Sequence, residues 1–189
     1  MKPLTKSLIA FLALFPLTGW CEKVEYKLDK SHTSVNWDIS HFDFSHYHGK
    51  WEAEGKLVLD NEKPENSKVD AVIKVDEFIT GNDKLNKHLK SADFFNTATY
   101  PKATFVSDKI EVQEGKIAKV HGNLTLHGVT KPVVLEVISQ KIEKNPVSNK
   151  DTAGFRAKTK LKRSDFGISA FLPGLGDEVN LDIEVEANK

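Results

Sequence analysis

The chain has 189 residues, and its 27 lysines and arginines are matched by 27 aspartates and glutamates. This balance disfavours a nucleic-acid binder, which requires a basic face for the phosphates. With one cysteine in the sequence, stability cannot depend on an internal disulfide, and the length is that of a single domain with a sizeable core.

Residues 1–21 have the order of regions that is typical of a secretory signal peptide. A basic start precedes an apolar stretch at residues 8–17, which is far shorter than the ~20 residues of a membrane-spanning helix. Gly19 and Cys21 place small side chains at the third and first positions before a cut, so we predict cleavage after Cys21. The alternative makes Cys21 a lipid-modified first residue, but the bulky Trp20 before it argues against lipoprotein processing. We therefore expect an exported protein whose folded domain spans residues 22–189.

An alternation of apolar and polar residues with a period of two dominates the rest of the chain. It is cleanest at residues 179–185, where valine, leucine and isoleucine alternate with asparagine, aspartate and glutamate and so give one apolar and one acidic face. The same pattern predicts further strands over residues 24–28, 35–39, 51–59, 69–75, 103–112, 120–126, 133–137 and 155–161.

One segment has a different period. Between Asn82 and Phe95, Leu85, Leu89 and Ala92 fall on one stripe and the charged residues fall elsewhere. This spacing predicts an amphipathic helix near residues 82–95, with Asn82 as its N-cap.

The strand pattern predicts an all-β fold. Turn residues separate about eight strands by mostly short connections, and short connections imply antiparallel neighbours. One apolar face on nearly every strand indicates either a single sheet wrapped around one interior or two facing sheets. Closure of the sheet into an antiparallel β-barrel also removes exposed edges, and we predict that arrangement.

Several sequence motifs resemble the YceI-like family of bacterial polyisoprenoid-binding proteins. They are HTSVNWDISH at 32–41 followed by Gly49, HLKSADFFNTATYPKATF at 88–105, GNLTLHGVTKPV at 122–133, RSDFGI at 163–168 and GDEVNLDIEVEA at 176–187. The sequence differs from the usual family pattern at residues 77–81 and 42–48, which we expect to border the mouth of the barrel.

The resemblance implies an extended lipocalin-like barrel in the periplasm. Its ligand would be a long isoprenoid lipid, either a polyprenyl compound or an isoprenoid quinone, held in the barrel interior for transport, storage or stress protection. We predict no cofactor. Lysines of the segment near residues 82–95 could meet a pyrophosphate head group, or make transient contact with an anionic membrane surface, near the mouth of the barrel.

The inward parity of the strands, together with the apolar stripe of the helix, predicts the residues that contact such a ligand. They are Val35, Trp37, Ile39, His41, Trp51, Leu57, Phe78, Leu85, Leu89, Phe94, Phe95, Phe105, Leu124, Leu126 and Phe155. A barrel of about eight strands either fills its interior with side chains or holds one ligand, and the sequence leaves both possibilities open. His41 shares the inward parity and is a candidate partner for a polar head group.

Two other functions stay open at this point. His46 and His48 fall on the same face of a strand, and together with His41 they could form a zinc or copper site. An enzyme acting on an isoprenoid is the second alternative. The sequence offers no serine elbow, phosphate loop or zinc-protease helix, so we predict no catalytic residue and no enzyme activity.

The alternating basic residues between Arg156 and Lys162 indicate a charged outer face. We expect them to pair with Asp182, Glu184 and Glu186 if the two strands are neighbours.

Overall fold

The computed structural model describes residues 23–189, so the predicted signal peptide and its cleavage site lie outside the described residues. Nine β-strands make up most of this region. They are β1 Lys23–Leu28, β2 Ser34–His41, β3 Ser45–Asp60, β4 Lys68–Lys74, β5 Lys102–Gln113, β6 Lys116–Leu126, β7 Val129–Lys144, β8 Asp151–Lys162 and β9 Leu175–Asn188.

The single α-helix of the described region, α1, spans Asp83–Leu89. Asn82 caps it as predicted, because the Asn82 side chain accepts hydrogen bonds from the N–H groups of Lys84 and Leu85. The helix is shorter than the predicted segment: beyond Leu89 the chain forms turns, and Asn96 takes a left-handed φ of 44°. Within residues 23–189, no helix is long and apolar enough to cross a membrane.

The strands form an antiparallel barrel, which confirms the predicted fold class. Following hydrogen bonds around the sheet, the order is β3-β2-β9-β8-β7-β6-β5-β4, and pairing of β4 with β3 closes the ring of eight. β1 lies between the far ends of β3 and β9, beyond the start of β2, and pairs with both. At the other end, the β2–β3 hairpin and the start of β9 surround an opening.

The connection between β4 and β5, residues 75–101, completes the wall in the open half. β3 pairs with β4 only from Ala53 to Val58, so the first half of β3 lacks a strand neighbour on that side. The connection fills this place. Ile79 exchanges two backbone hydrogen bonds of 3.0 Å with Lys50, and the Trp51 indole N–H donates to the Val75 carbonyl at 3.1 Å.

The interior is packed in two clusters of different character. At the closed end, Tyr26, Leu28, Leu57, Leu59, Ile110, Ile117, Ala153 and Ala187 form a core that plugs the barrel. At the open end, a second cluster lines a hollow and consists of Trp37, Ile39, Trp51, Val75, Phe78, Leu89, Phe94, Ala103 and Ile168. The barrel is therefore filled at one end and hollow at the other.

The outer face carries the charges expected from the sequence. β8 and β9 are neighbours, and Arg156 lies within 2.7 Å of Asp182 and 3.1 Å of Glu184. Glu186 pairs in register with Gly154, so it faces no basic residue of β8 at that position.

Gly55 provides a test of barrel closure. It has a φ of 146°, and a Cβ at this position would collide with the Asp70 carbonyl of β4. We expect Gly55→Ala to lower the free energy of unfolding by about 3 kcal/mol, through backbone strain and overpacking. Gly115→Ala is the control, because that glycine also has a positive φ but open space around it, and it should cost only about 1 kcal/mol. Urea denaturation measures both changes. Equal losses of unfolding free energy would show that the close approach of β3 and β4 at Gly55 does not add to the cost of the substitution.

Candidate functional site

A cavity of about 400 Å³ occupies the open half of the barrel. Its volume falls in the range of ligand pockets, roughly 300 to 1,000 Å³. Strands β2, β3, β4, β5, β6, β8 and β9 contribute to its wall, together with helix α1, other parts of the 75–101 connection and the segment 163–171. Most of the side chains that line it are aliphatic or aromatic, so the cavity is suited to an apolar occupant.

Eleven of the predicted ligand residues line this cavity. They are Val35, Trp37, Ile39, His41, Trp51, Leu85, Leu89, Phe94, Phe95, Leu124 and Leu126. Strand parity and the helix stripe therefore identify residues that are up to about ninety positions apart in the chain and that the fold brings to one cavity. Their role as ligand contacts stays a prediction.

The other four predicted residues lie elsewhere. Leu57 and Phe155 belong to the packed core of the closed end. Phe78 packs against Trp51 with ring centroids 5.2 Å apart and supports the wall from behind. Phe105 lies against Gly122 of β6, where a Cβ would come within 2.6 Å of its ring, and it is not part of the cavity wall.

The sequence reasoning also missed residues that the structure places at the cavity. The apolar ones are Phe42, Ile73, Val75, Ala103, Leu161, Phe166, Ile168, Phe171, Leu175, Val179 and Leu181. Val179 and Leu181 had the right parity and could have been found from it. His88 lies three residues after Leu85 on α1 and could have been found from helical spacing. Nothing in the local pattern identified the irregular segment 166–171.

Besides the indoles, the polar side chains at the cavity are those of His41, Tyr47, His88 and Arg163. The His41 ring packs edge-on against Tyr47, with centroids 4.6 Å apart. The His88 ring packs edge-on against Phe94 at 4.8 Å. These contacts orient both imidazoles at the wall, where a polar head group could form hydrogen bonds with them.

Arg163 fixes the segment that forms one side of the opening. Its guanidinium donates to the carbonyls of Gly176 at 2.7 Å, Ile168 at 3.0 Å and Leu175 at 3.0 Å. Burial lowers the pKa of this guanidinium from its ordinary value, while the carboxylate of Asp177 acts in the opposite direction. The charge thus holds together the 3-10 turn at Arg163–Phe166 and the start of β9.

Asp177 supports the same segment from the next strand. Its carboxylate accepts hydrogen bonds from the Ser164 N–H at 2.9 Å and from the Ser164 hydroxyl at 2.8 Å. Burial alone would raise the pKa of Asp177, but the hydrogen bonds and the charge of Arg163 outweigh it, so the pKa lies below its ordinary value.

The three histidines considered as a metal site do not converge. His46 and His48 share the outer face, as predicted, with ring centroids 6.4 Å apart, and His46 lies 3.0 Å from Asp38. His41, in contrast, lines the cavity on the inner face. Opposite faces of a strand cannot supply ligands to one ion. Among residues 23–189, Asp29, His32 and Glu186 form a group close enough to hold an ion, and there the hydrogen bond with Asp29 raises the pKa of His32.

Replacement of Arg163 tests its three-carbonyl contact. We expect Arg163→Lys to lower the free energy of unfolding by about 3 kcal/mol, because one ammonium cannot reach all three carbonyls and a buried charged hydrogen bond contributes about 1.5 to 3 kcal/mol. Arg156→Lys on the outer face is the control and should cost less than about 1 kcal/mol. Chemical denaturation distinguishes the two, and similar losses would contradict the role assigned to Arg163.

The lowered pKa of Asp177 predicts how the stability of the fold changes with pH. A carboxyl group with a lowered pKa stabilises the fold fully above the pKa of an unfolded aspartate, about 3.9, and this contribution disappears as pH falls through the folded-state pKa. Asp177→Asn should therefore be less stable than the native chain at neutral pH, and the difference should shrink in acid. Unfolding curves over a pH series measure this, and a difference that stays constant with pH would refute it.

Comparison with known proteins agrees with this architecture. The YceI-like domain model matches residues 26–187. Protein YceI of Salmonella agona strain SL483 is 38% identical over 179 residues, which is 93% of each chain. The solved structure of the Campylobacter jejuni YceI protein aligns with a TM-score of 0.69 and 35% identity, over 80% of this chain and 90% of the other.

A polyisoprenoid binding domain from Saccharophagus degradans has the same fold. It aligns with a TM-score of 0.61 at 19% identity, covering 86% of this chain and 97% of its own. The family model extends over nearly all of the described barrel, and the Salmonella agona relative aligns over 93% of its length. This protein belongs to the YceI-like domain family.

Proposed function

We propose that this protein binds a long isoprenoid lipid, a polyprenyl compound or an isoprenoid quinone, with part of its tail in the cavity. The observation that carries the proposal is the hollow half of the barrel, whose wall is almost entirely aliphatic and aromatic. An empty apolar cavity loses packing contacts along its whole lining, and an apolar ligand restores them. The solved Saccharophagus degradans domain of the same fold is described as polyisoprenoid binding, which is consistent with this occupant.

The energetics favour a long flexible tail. Burial of one five-carbon isoprene unit contributes roughly 3 to 4 kcal/mol gross, at about 0.8 kcal/mol per carbon. Non-covalent affinity saturates at roughly −18 to −21 kcal/mol, so a few buried units are sufficient for tight binding. The cavity of about 400 Å³ suits such partial burial.

The head group would lie towards the opening, near His41. This imidazole is placed at the last residue of β2 and lines the cavity, packed between Phe42 and Tyr47. A neutral imidazole can donate one hydrogen bond and accept another, which suits a quinone carbonyl or a phosphate oxygen. His88 is a second group of the same kind at the wall.

The proposal is for binding, with no chemical change of the lipid. Arg163, the one arginine among the described residues that line the cavity, donates hydrogen bonds to three backbone carbonyls. Both imidazoles that line the cavity pack edge-on against aromatic rings. We further propose that the protein is exported to the periplasm, which the pattern of residues 1–21 supports.

Native mass spectrometry, followed by organic extraction, tests the proposal on protein purified from its own envelope without detergent. We expect a copurifying species of prenyl mass that is unchanged after incubation. A species that changes mass would favour an enzyme instead. A protein that is empty and also takes up no added isoprenoid quinone or polyprenyl phosphate would refute lipid binding.

A pair of variants on β5 locates the bound tail. Ala103 is buried and lines the cavity, whereas Val106 is 49% exposed on the outer face of the same strand. We expect Ala103→Phe to weaken uptake about a hundredfold, because its ring displaces about one isoprene unit and so removes about 3 kcal/mol of burial. Val106→Phe should bind normally. Equal uptake by the two folded variants would place the lipid elsewhere.

A further inference from the structure

Large apolar side chains project into solvent around the opening of the barrel. Phe42 and Phe44 lie at the tip of the β2–β3 hairpin, and Phe171 and Leu172 lie in the segment before β9. Their exposed fractions are 46%, 92%, 56% and 37%. We call these four residues the apolar rim.

The two parts of the apolar rim, the hairpin tip and the segment before β9, lie next to each other. The Phe42 N–H donates to the Gly174 carbonyl at 2.8 Å, which joins the hairpin to the segment that carries Phe171. Phe171 in turn packs against His88 of α1, with ring centroids 6.1 Å apart. Hairpin, segment and helix therefore border the same opening.

The backbone holds part of the rim in unfavourable conformations. Phe42 has a φ of 53° and Phe171 a φ of 61°, both in the left-handed region that bulky residues avoid. Such strain persists only where the surrounding structure imposes it, and it is concentrated at functional sites. At Phe42 the tight hairpin turn imposes this conformation, since Asp43 also has a positive φ and the Phe44 N–H donates to the His41 carbonyl at 3.1 Å. Both phenylalanines nevertheless stay about half exposed, so the fold leaves apolar surface at the opening that a partner could bury.

Positive charge accompanies the apolar rim on its helix side, whereas the hairpin tip carries the exposed Asp43 between Phe42 and Phe44. α1 and its C-cap carry the exposed Lys84, Lys87 and Lys90 against a single aspartate in the first turn, Asp83. Lys84 lies one turn before His88, on the side of the helix that meets Phe171. In the part of the chain that the structure describes, these lysines form no ion pair.

We propose that the open end of the barrel docks on an anionic phospholipid bilayer, with the apolar rim inserted into the interface and Lys84 and Lys87 against the lipid phosphates. Exposed aromatic side chains beside lysines are the composition that favours an interfacial position. Each lysine near an anionic surface adds electrostatic attraction that salt screens. Docking in this orientation places the cavity opening directly against the lipid. This docking is separate from the proposed binding of a lipid in the cavity, because the protein should dock without a lipid in the cavity as well.

Cosedimentation with vesicles of phosphatidylcholine, with and without phosphatidylglycerol, tests the docking. Phe44→Ser should weaken binding to the anionic vesicles about tenfold, which is the effect of removing one buried phenyl ring. Val147→Ser is the matched control, because Val147 is 93% exposed in the turn between β7 and β8, at the closed end. It should bind like the native chain.

A double variant, Lys84→Gln with Lys87→Gln, tests the contribution of the lysines to docking. This variant should lose about tenfold in binding to anionic vesicles and show a weaker dependence on salt. Native binding to purely zwitterionic vesicles should be weak.

The docking is refuted if the native chain does not bind anionic vesicles, or if Phe44→Ser and Val147→Ser bind equally well. Ala103→Phe separates this proposal from lipid uptake: with its cavity filled it should still dock on vesicles that contain no isoprenoid. Loss of docking in that folded variant would contradict the independence of the two functions.

Discussion

Closure of the barrel depends on the length of β3. Its sixteen residues pair with β2 and then β1 along one edge and with β4 along the other, so one strand joins both ends of the sheet. β4 is only seven residues long and pairs with β3 from Ala53 to Val58, which is less than half of that second edge. The shortfall leaves room for the 75–101 connection, and the cavity exists because this irregular wall, with its helix and aromatic turns, cannot fill the interior as regular strands do at the closed end.

The same alternation of residues therefore serves two purposes in one barrel. At the closed end, small residues such as Ala153 and Ala187, both fully buried, let the strands approach and a dense core form. At the open end, large side chains line the cavity and are supported by residues packed behind them, as Phe78 packs against Trp51. The stability needed to keep a cavity open comes from the plug and from polar clamps such as Arg163, which need no contact with a ligand.

Much of the fold could be predicted from local pattern. A period of two identified the strands and the inward faces, the capping preference of asparagine identified the start of α1, and antiparallel neighbours followed from short connections. Parity gives the face of a residue but not its depth along the barrel axis, which is why Leu57 and Phe155 were assigned to the ligand although they lie in the plug. The positions of Arg163 and Phe171 depend on contacts of the segment 163–171 with the start of β9, and no local sequence pattern indicates these contacts.

The direction of β1 gives the molecule a polarity. Lys23 pairs with Asp60 at the end of β3, so the first described residue leaves the barrel at the plugged end, opposite to Phe42 and Phe171. A lipid attached to Cys21 would tether the plugged end to a bilayer and turn the opening away from that bilayer. Cleavage after Cys21 would remove this constraint on the direction of the opening. If the chain is exported, cleavage or lipidation at Cys21 would thus determine whether the opening can approach the bilayer that holds the chain.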